Sequence, residues 1–329
     1  MTWPAARTSA GLSLLFLAVY GACNWITSLR TDVGTWYFEW ERLIPFIPLM
    51  ILQGGVHVWF SLIGLSTAFT YQHHVVDVAG GFALAAVCFW AVSASPLTAP
   101  VVPNPRVAAF YLAGCAVAVA LALWGWPWTA LLLWPAVSLL IVATAYLGVG
   151  PEIFRKADGR LPLPTRLLLG PCLLGQSLSL RYYRRQCRPW DAVAPGVLIG
   201  RRLSDAEATQ AVRSGVTAVL DLTAELSEAS PFLRLVYCNV PILDLTAPTP
   251  EQLRTAVAFV GEHAKTGVVY VHCKIGYSRS AAAVGAHLLA TGQADTVADA
   301  EGRLRRARPS IVIRPEVLAA LHRFALTPR

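Results

Sequence analysis

Residues 1–150 carry only eight charged side chains, and that scarcity decides what this half of the chain can become. Arg7, Arg30, Arg42 and Arg106 balance Asp32, Glu39, Glu41 and Asp77, so the whole net charge of +8 falls in residues 151–329. An apolar run of ~20 residues can cross a bilayer as a helix, because a helix satisfies its own backbone groups where water is absent. Five runs qualify: Gly11 to Ser28, Leu43 to Phe69, Val75 to Ala94, Val107 to Trp126 and Trp128 to Leu147. The second is long and interrupted by Pro45, Pro48, Gly54 and Gly55. The first has no basic leader or cleavage signal and is not expected to be removed. Trp36, Tyr37, Trp40, Trp126 and Trp128 lie near run ends, where aromatic rings favour the membrane–water interface.

Charge returns abruptly after residue 150. Arg155, Lys156, Arg160, Arg166, Arg181, Arg184, Arg185, Arg188, Arg201 and Arg202 form a basic collar beside the last apolar run. Such a collar predicts a cytoplasmic location for the C-terminal half of the chain and attraction to anionic lipid headgroups. Leu167 to Leu180 is apolar but short, an interfacial helix or a linker. The sequence thus divides into a transmembrane helical domain (1–150), a basic juxtamembrane linker (151–188) and a C-terminal domain (189–329). Five passes with that domain inside place the N-terminus outside, and reading Leu43 to Phe69 as two half-passes places it inside. The seven cysteines have neither metal-ligand nor disulfide spacing, which fits a reducing compartment.

The chemistry concentrates in Val271-His272-Cys273-Lys274-Ile275-Gly276-Tyr277-Ser278-Arg279-Ser280. Upstream, Gly267 to Val271 is a buried-strand pattern; downstream, Ala281 to Ala290 is a strong helix former. A strand-loop-helix junction presents unpaired N–H groups and the positive end of the helix dipole, which together bind anions and lower a cysteine pKa. Upstream again, Asp244 follows a short apolar strand and precedes a Pro-rich turn and a helix beginning near Pro250, whereas Asp221 ends an earlier strand and reads as structural.

The Cys273-x5-Arg279 loop, with His272, Gly276 and Ser280, resembles the cysteine-dependent protein tyrosine phosphatases, in particular their dual-specificity branch. The resemblance spans about Trp190 to Phe324 and implies an α/β domain with a central sheet of about five strands flanked by helices. It implies Cys273 as nucleophile, Arg279 as phosphate clamp, Asp244 as general acid, Ser280 as an aid to thiolate departure and His272 as a tuning residue behind the cysteine. Backbone amides of Lys274, Ile275, Gly276, Tyr277, Ser278 and Arg279 would cradle the phosphate, and neither metal nor cofactor would be needed. The loop and the Ile313-Arg314-Pro315 ending look most like the phosphatidylglycerophosphate phosphatase branch. Ile275 and Tyr277 depart from its pattern, which more often has a small and a basic residue there.

A second motif, His73 and Asp77, sits four residues apart at a run boundary, where a carboxylate can orient an imidazole. It resembles the last motif of the type 2 phosphatidic acid phosphatase superfamily, including sphingolipid-synthesising phosphotransferases, and the resemblance implies a histidine nucleophile. The basic first motif and the Pro-Ser-x-His second motif of that superfamily are missing. The expected protein is therefore an integral membrane phosphatase, in a bacterial inner membrane with its C-terminal domain cytoplasmic. Its substrate would be a phosphorylated lipid or a phosphoprotein, its surroundings a bilayer with anionic headgroups, and it would have no nucleic-acid partner. The alternatives are lipid phosphotransfer at His73 and a non-catalytic phosphate-binding scaffold.

Overall fold

The computed structural model describes residue 81 and residues 101–326, and the latter belong to one compact unit. The first three expected spans and the His73–Asp77 pair lie outside the described residues. Within them two helices are long and apolar enough to cross a membrane, Pro105–Trp124 and Ala130–Val149. The first is α1. The second comprises a short 3-10 turn, helix α2 (Leu133–Thr144) and a wider turn to Val149. They pair as an antiparallel hairpin whose outward face is apolar: Phe110, Leu123, Trp124, Trp128 and Leu131 are all more than 60% exposed. At its foot Asn104 caps α1 by accepting from Val107 N–H, and its own N–H donates to the Tyr146 carbonyl at 2.9 Å.

Residues 151–188 are folded rather than extended. They hold α3 (Leu163–Leu168) and α4 (Gly170–Arg184), and the Trp134 indole N–H donates to the Leu167 carbonyl to tie α3 to the hairpin. Then come β1 (Trp190–Ala194), β2 (Val197–Arg201), α5 (Asp205–Arg213), β3 (Val216–Thr223), β4 (Val236–Ile242), α6 (Pro250–His263), β5 (Val268–Cys273), α7 (Ser278–Ala290), α8 (Val297–Ala307) and α9 (Pro315–Leu326). The five strands make one sheet in the order β1-β2-β5-β3-β4, antiparallel between β1 and β2 and parallel elsewhere.

β5 is central, so both its faces are buried, which is why its sequence is apolar without alternation. Period-2 geometry then sorts its residues. Val269, Val271 and Cys273 join the core formed with α6, α7 and α9, while Tyr270 joins the opposite core with Phe232 and α5. The run Ala281-Ala282-Ala283 lets α7 bury completely against the sheet. Capping boxes start α5 (Ser204 with Glu207) and α6 (Thr249 with Gln252).

Lys156, one of the collar cations, is not on the surface. Its ammonium is buried in an ion pair with Asp221 and donates to the Thr223 carbonyl at 3.0 Å. Asp221 also accepts from Tyr237 Oη, Thr223 N and Thr223 Oγ1. Burial raises the Asp221 carboxyl pKa, but Lys156 and His272 outweigh it and hold it at about 2. The segment 151–188 is therefore stitched into the sheet, and Glu228 N–H donating to the Gly159 carbonyl at 2.7 Å adds a second stitch. Replacing Lys156 by Met leaves Asp221 buried without its cation, which costs about 3–5 kcal/mol. Chemical denaturation should register that loss at neutral pH. The deficit should narrow as pH falls below 4, because acid neutralises the stranded carboxyl while removing the wild type's own advantage. An undiminished midpoint at pH 7 would contradict this account.

Candidate active site

Cys273 ends β5 and Arg279 lies in the first turn of α7, so the loop between them closes over the helix N-terminus. Two hydrogen bonds shape that loop. The Lys274 carbonyl accepts from Arg202 N–H at 3.2 Å, and the Ile275 carbonyl accepts from Arg308 Nη2 at 3.2 Å. Because each peptide is planar and trans, the N–H groups of Ile275 and Gly276 point the opposite way, into the loop. Gly276 has φ +78, and a Cβ there would lie 2.3 Å from the Gly200 carbonyl oxygen, so no other residue fits. The amides of Ser278, Arg279 and Ser280 precede the first intrahelical bond, from Ala281 N–H to Tyr277 O, and complete a ring of donors.

Cys273 is buried beneath this ring. Burial opposes its ionisation, yet the Arg279 charge and the Ser280 hydroxyl and amide lower the thiol pKa below its usual value. The Ser280 hydroxyl, buried and with no other hydrogen-bond partner among the described residues, sits beside the sulfur. His272 faces the other side of the sheet. Its Nε2 lies 2.6 Å from Glu228 Oε2 and its Nδ1 3.3 Å from the Cys273 carbonyl. Burial disfavours the imidazolium, but Glu228 and Asp221 reverse that and raise the His272 pKa. Asp221, Glu228 and His272 present ligand atoms within 4.8 Å of one another, a spacing a metal could use. The Asp221 oxygens are already taken by Lys156, Tyr237 and Thr223, and Glu228 Oε1 accepts from Ala229 N–H, so the cluster reads as a hydrogen-bonded charge network.

Arg279 is buried and held by Glu225 through both guanidinium nitrogens, at 3.1 and 2.8 Å, while Nη1 also donates to the Ile242 carbonyl at 2.8 Å. Its Nη2 lies 3.3 Å from Asp244 Oδ1, and Lys274 Nζ lies 2.8 Å from Asp244 Oδ2. Burial pushes the Asp244 carboxyl up, but Arg279 and Lys274 outweigh it and hold it at about 2. Lys274 Nζ also donates to Gln176 Oε1 on α4 at 2.7 Å. The space left between Tyr111, Tyr146, Gln176, Glu225 and Asp244 is about 10 Å³, the room of a single water.

The structure therefore brings Cys273, Arg279, Asp244, Ser280 and Lys274 to one point, with His272 directly behind. Ile275 and Tyr277 turn their side chains to a separate apolar cluster with Leu180, Cys187 and Leu226, and Ser278 Oγ accepts from Arg314 N–H. Sequence reading missed Glu225, Gln176 and Arg308. Glu225 had a usable signal: a carboxylate just past the C-terminal end of a parallel strand, the edge where such sheets place their sites. Missed too is the tie from the acid loop to the hairpin foot. Tyr146 Oη donates to the Asp244 carbonyl at 2.9 Å, and Asn104 Nδ2 donates to the Leu245 carbonyl at 2.8 Å.

The profile of the family described as the dual specificity phosphatase catalytic domain matches residues 201–325. A curated relative, phosphatidylglycerophosphate phosphatase PTPMT2 of Arabidopsis thaliana, is 27% identical over 167 residues, covering 49% of this chain and 72% of that protein. Among solved structures, PTPMT1 in complex with PI(5)P is 25% identical, covering 42% of this chain and 95% of that one with a TM-score of 0.38. The active form of Tk-PTP is 24% identical, covering 42% and 96%, with a TM-score of 0.39. Residues 201–325 are a dual specificity phosphatase catalytic domain, and the chain is a phosphoric monoester hydrolase.

Proposed function

We propose that the chain is a membrane-anchored phosphatase that removes phosphate monoesters from lipids, with the catalytic domain on the cytoplasmic side. The observation that carries the lipid reading is the tie between acid loop and hairpin: the Asp244–Leu245 loop is hydrogen-bonded to Tyr146 and Asn104, at the foot of two helices apolar enough to span a bilayer. A site built on that foot meets substrates at the headgroup level, where tethering raises their effective concentration. The phosphatidylglycerophosphate phosphatase name of the plant relative agrees with this reading.

In the proposed mechanism the Cys273 thiolate attacks phosphorus while the bond to the leaving oxygen breaks. Arg279 and the loop amides hold the equatorial oxygens. Asp244 gives its proton to the departing alkoxide. It then takes a proton from water, whose oxygen attacks the phosphocysteine. Sulfur leaves as thiolate, stabilised by the Ser280 hydroxyl and the Arg279 charge. His272, fixed by Glu228, holds the Cys273 carbonyl and so the end of the strand.

In the ligand-free site Asp244 occupies the cations that a phosphate needs. An arriving phosphate takes over Arg279 and Lys274, and the carboxyl, now beside an anion and stripped of its partners, gains a proton. The proton can come with the substrate, as the monoanion of a phosphate whose second pKa is about 6. For alkyl phosphates kcat/KM should then fall as pH rises through the substrate's own second pKa, and not near the free-enzyme value of Asp244. Asp244→Asn should flatten that limb and slow alkyl phosphates far more than aryl phosphates, whose leaving groups need less protonation. Equal losses on both classes would remove Asp244 from the acid role.

Cys273→Ser should abolish phosphate release from phosphatidylglycerophosphate, phosphatidic acid and a phosphotyrosine peptide alike. For the wild type in lipid–detergent micelles, the two lipids should be hydrolysed faster than the peptide, and the reverse ranking would sink the lipid assignment. Glu225 is a positioning residue in this scheme. Glu225→Gln keeps a neutral acceptor but frees the guanidinium plane, and vanadate affinity should fall roughly tenfold, about 1.4 kcal/mol. The alkyl-to-aryl ratio should stay at the wild-type value, because proton donation is untouched.

A further inference from the structure

The consecutive carbonyls of Asp244 and Leu245 are both taken by residues that lie outside the matched catalytic domain. Tyr146 Oη donates to the first at 2.9 Å and Asn104 Nδ2 to the second at 2.8 Å. The two donors are themselves fixed. Asn104 uses both ends of its amide, since Oδ1 accepts from Val107 N–H at 3.3 Å. The Tyr146 ring is buried and stacks on Tyr111, with centroids 5.5 Å apart and planes 16° from parallel. One donor opens the first apolar helix and the other lies in the wide turn that ends the second, and Asn104 N–H donating to the Tyr146 carbonyl joins them.

The far side of the same peptide holds the catalytic carboxylate. Leu245 N–H donates to Asp244 Oδ1 at 3.1 Å. The Asp244 carbonyl and the Leu245 N–H belong to one planar unit, so a donor that fixes the carbonyl also fixes the direction of the N–H. Asn104 fixes the next peptide, and between the two planes Leu245 is kept in its left-handed conformation. Within the loop, Thr246 N–H and Oγ1 both donate to the Leu243 carbonyl, which closes the turn without touching either peptide. In the proposed mechanism an arriving phosphate takes Arg279 and Lys274 from the carboxylate. The Leu245 amide remains. It keeps Oδ1 as an acceptor, which leaves the proton to Oδ2, the oxygen that faced Lys274.

We infer that Tyr146 and Asn104 are positioning residues for the general acid: they hold the peptide whose N–H aims the Asp244 carboxyl once substrate has taken its cations. The inference rests on Asp244 as the acid of the proposed mechanism and not on the assignment to lipid. The catalytic domain supplies nucleophile, clamp and acid from its own sequence, while the aim of the acid comes from the apolar hairpin.

The test uses the full chain in detergent micelles with two soluble substrates, glycerol 3-phosphate and 4-nitrophenyl phosphate, so that no lipid hydrolysis is required. Tyr146→Phe removes one oxygen and keeps the ring stack. Asn104→Asp keeps an oxygen to cap the helix and removes the donor to Leu245. Each substitution and the pair are made in the wild type and in Asp244→Asn. A misaimed acid matters most where the leaving oxygen needs its proton, so the alkyl-to-aryl ratio of kcat/KM should fall roughly tenfold in the pair. In the Asp244→Asn background the same substitutions should leave the ratio where Asp244→Asn alone puts it, which a general loss of folding would not do. Tyr146→Phe alone should shift the ratio in the same direction, and this least invasive change decides the matter if the pair does not fold. A wild-type ratio in these variants, beside a lowered ratio in Asp244→Asn, would overturn the positioning role alone. A further fall of the ratio in the Asp244→Asn background would overturn it too, because the effect would not pass through the acid. Equal losses on both substrates in Asp244→Asn itself would overturn the acid role, and the positioning role with it.

Discussion

The buried ion pair between Arg279 and Glu225 is the constraint on which the rest of the site depends. A guanidinium has no neutral form to retreat to, so its burial requires a fixed counter-charge. Glu225 supplies that charge through two hydrogen bonds, and two bonds fix a plane as well as a position. The same guanidinium donates to the last residue of β4, Ile242, and the chain reaches Asp244 two residues later. One cation thus sets the relation between the loop after β3, the end of β4 and the start of α7. The relative placement of Cys273, Arg279 and Asp244 depends on it.

The loop itself is shaped from behind. Arg202 N–H and the Arg308 guanidinium take the Lys274 and Ile275 carbonyls outward, and the amides turn inward as a geometric consequence. Arg308 is in turn anchored by Asp191 at 2.7 Å, so β1 and the end of α8 converge on a loop neither borders in sequence. The two loop residues that depart from the family pattern have a local reason. Ile275 packs against Leu180 on α4 and Leu226, with Tyr277 against the same cluster, so α4 docks on the loop through these two side chains.

What could be read from the sequence was whatever is local along the chain. Cys273, Arg279 and Ser280 share one strand-loop-helix unit whose signals fall within a dozen residues, and Asp244 is marked by the turn and helix start after it. The sheet was legible for the same reason, since apolar strands alternate with amphipathic helices. Lys156 and Arg308 were not legible, because each matters only through a partner 65 or 117 residues away, and Glu225 carried only its place just past β3, its partner lying 54 residues on. Lys156 was misleading in a specific way. Composition counted it with the surface collar, and only the sheet reveals that Asp221 pulls it inside. Residues 151–188 likewise read as a linker by charge, although α3 and α4 pack against the hairpin and the catalytic loops.

The acid loop is where the apolar hairpin and the catalytic site meet. Leu245 adopts φ +62, a conformation that a branched side chain reaches only at some cost, and a contact from outside the loop must hold it there. That contact is Asn104, which also caps α1 and bonds the end of the second apolar helix through Tyr146. Asp244 is thus fixed at its carboxylate by Arg279 and Lys274 and at its backbone by Tyr146. When a phosphate takes the first pair of partners, the second remains. In the proposed mechanism the loop then keeps its position while its carboxyl is released to carry a proton. Any change in the tilt of the hairpin is delivered to the backbone of Asp244 through Tyr146 and Asn104, which under the proposed function makes the foot of the apolar helices part of the catalytic geometry.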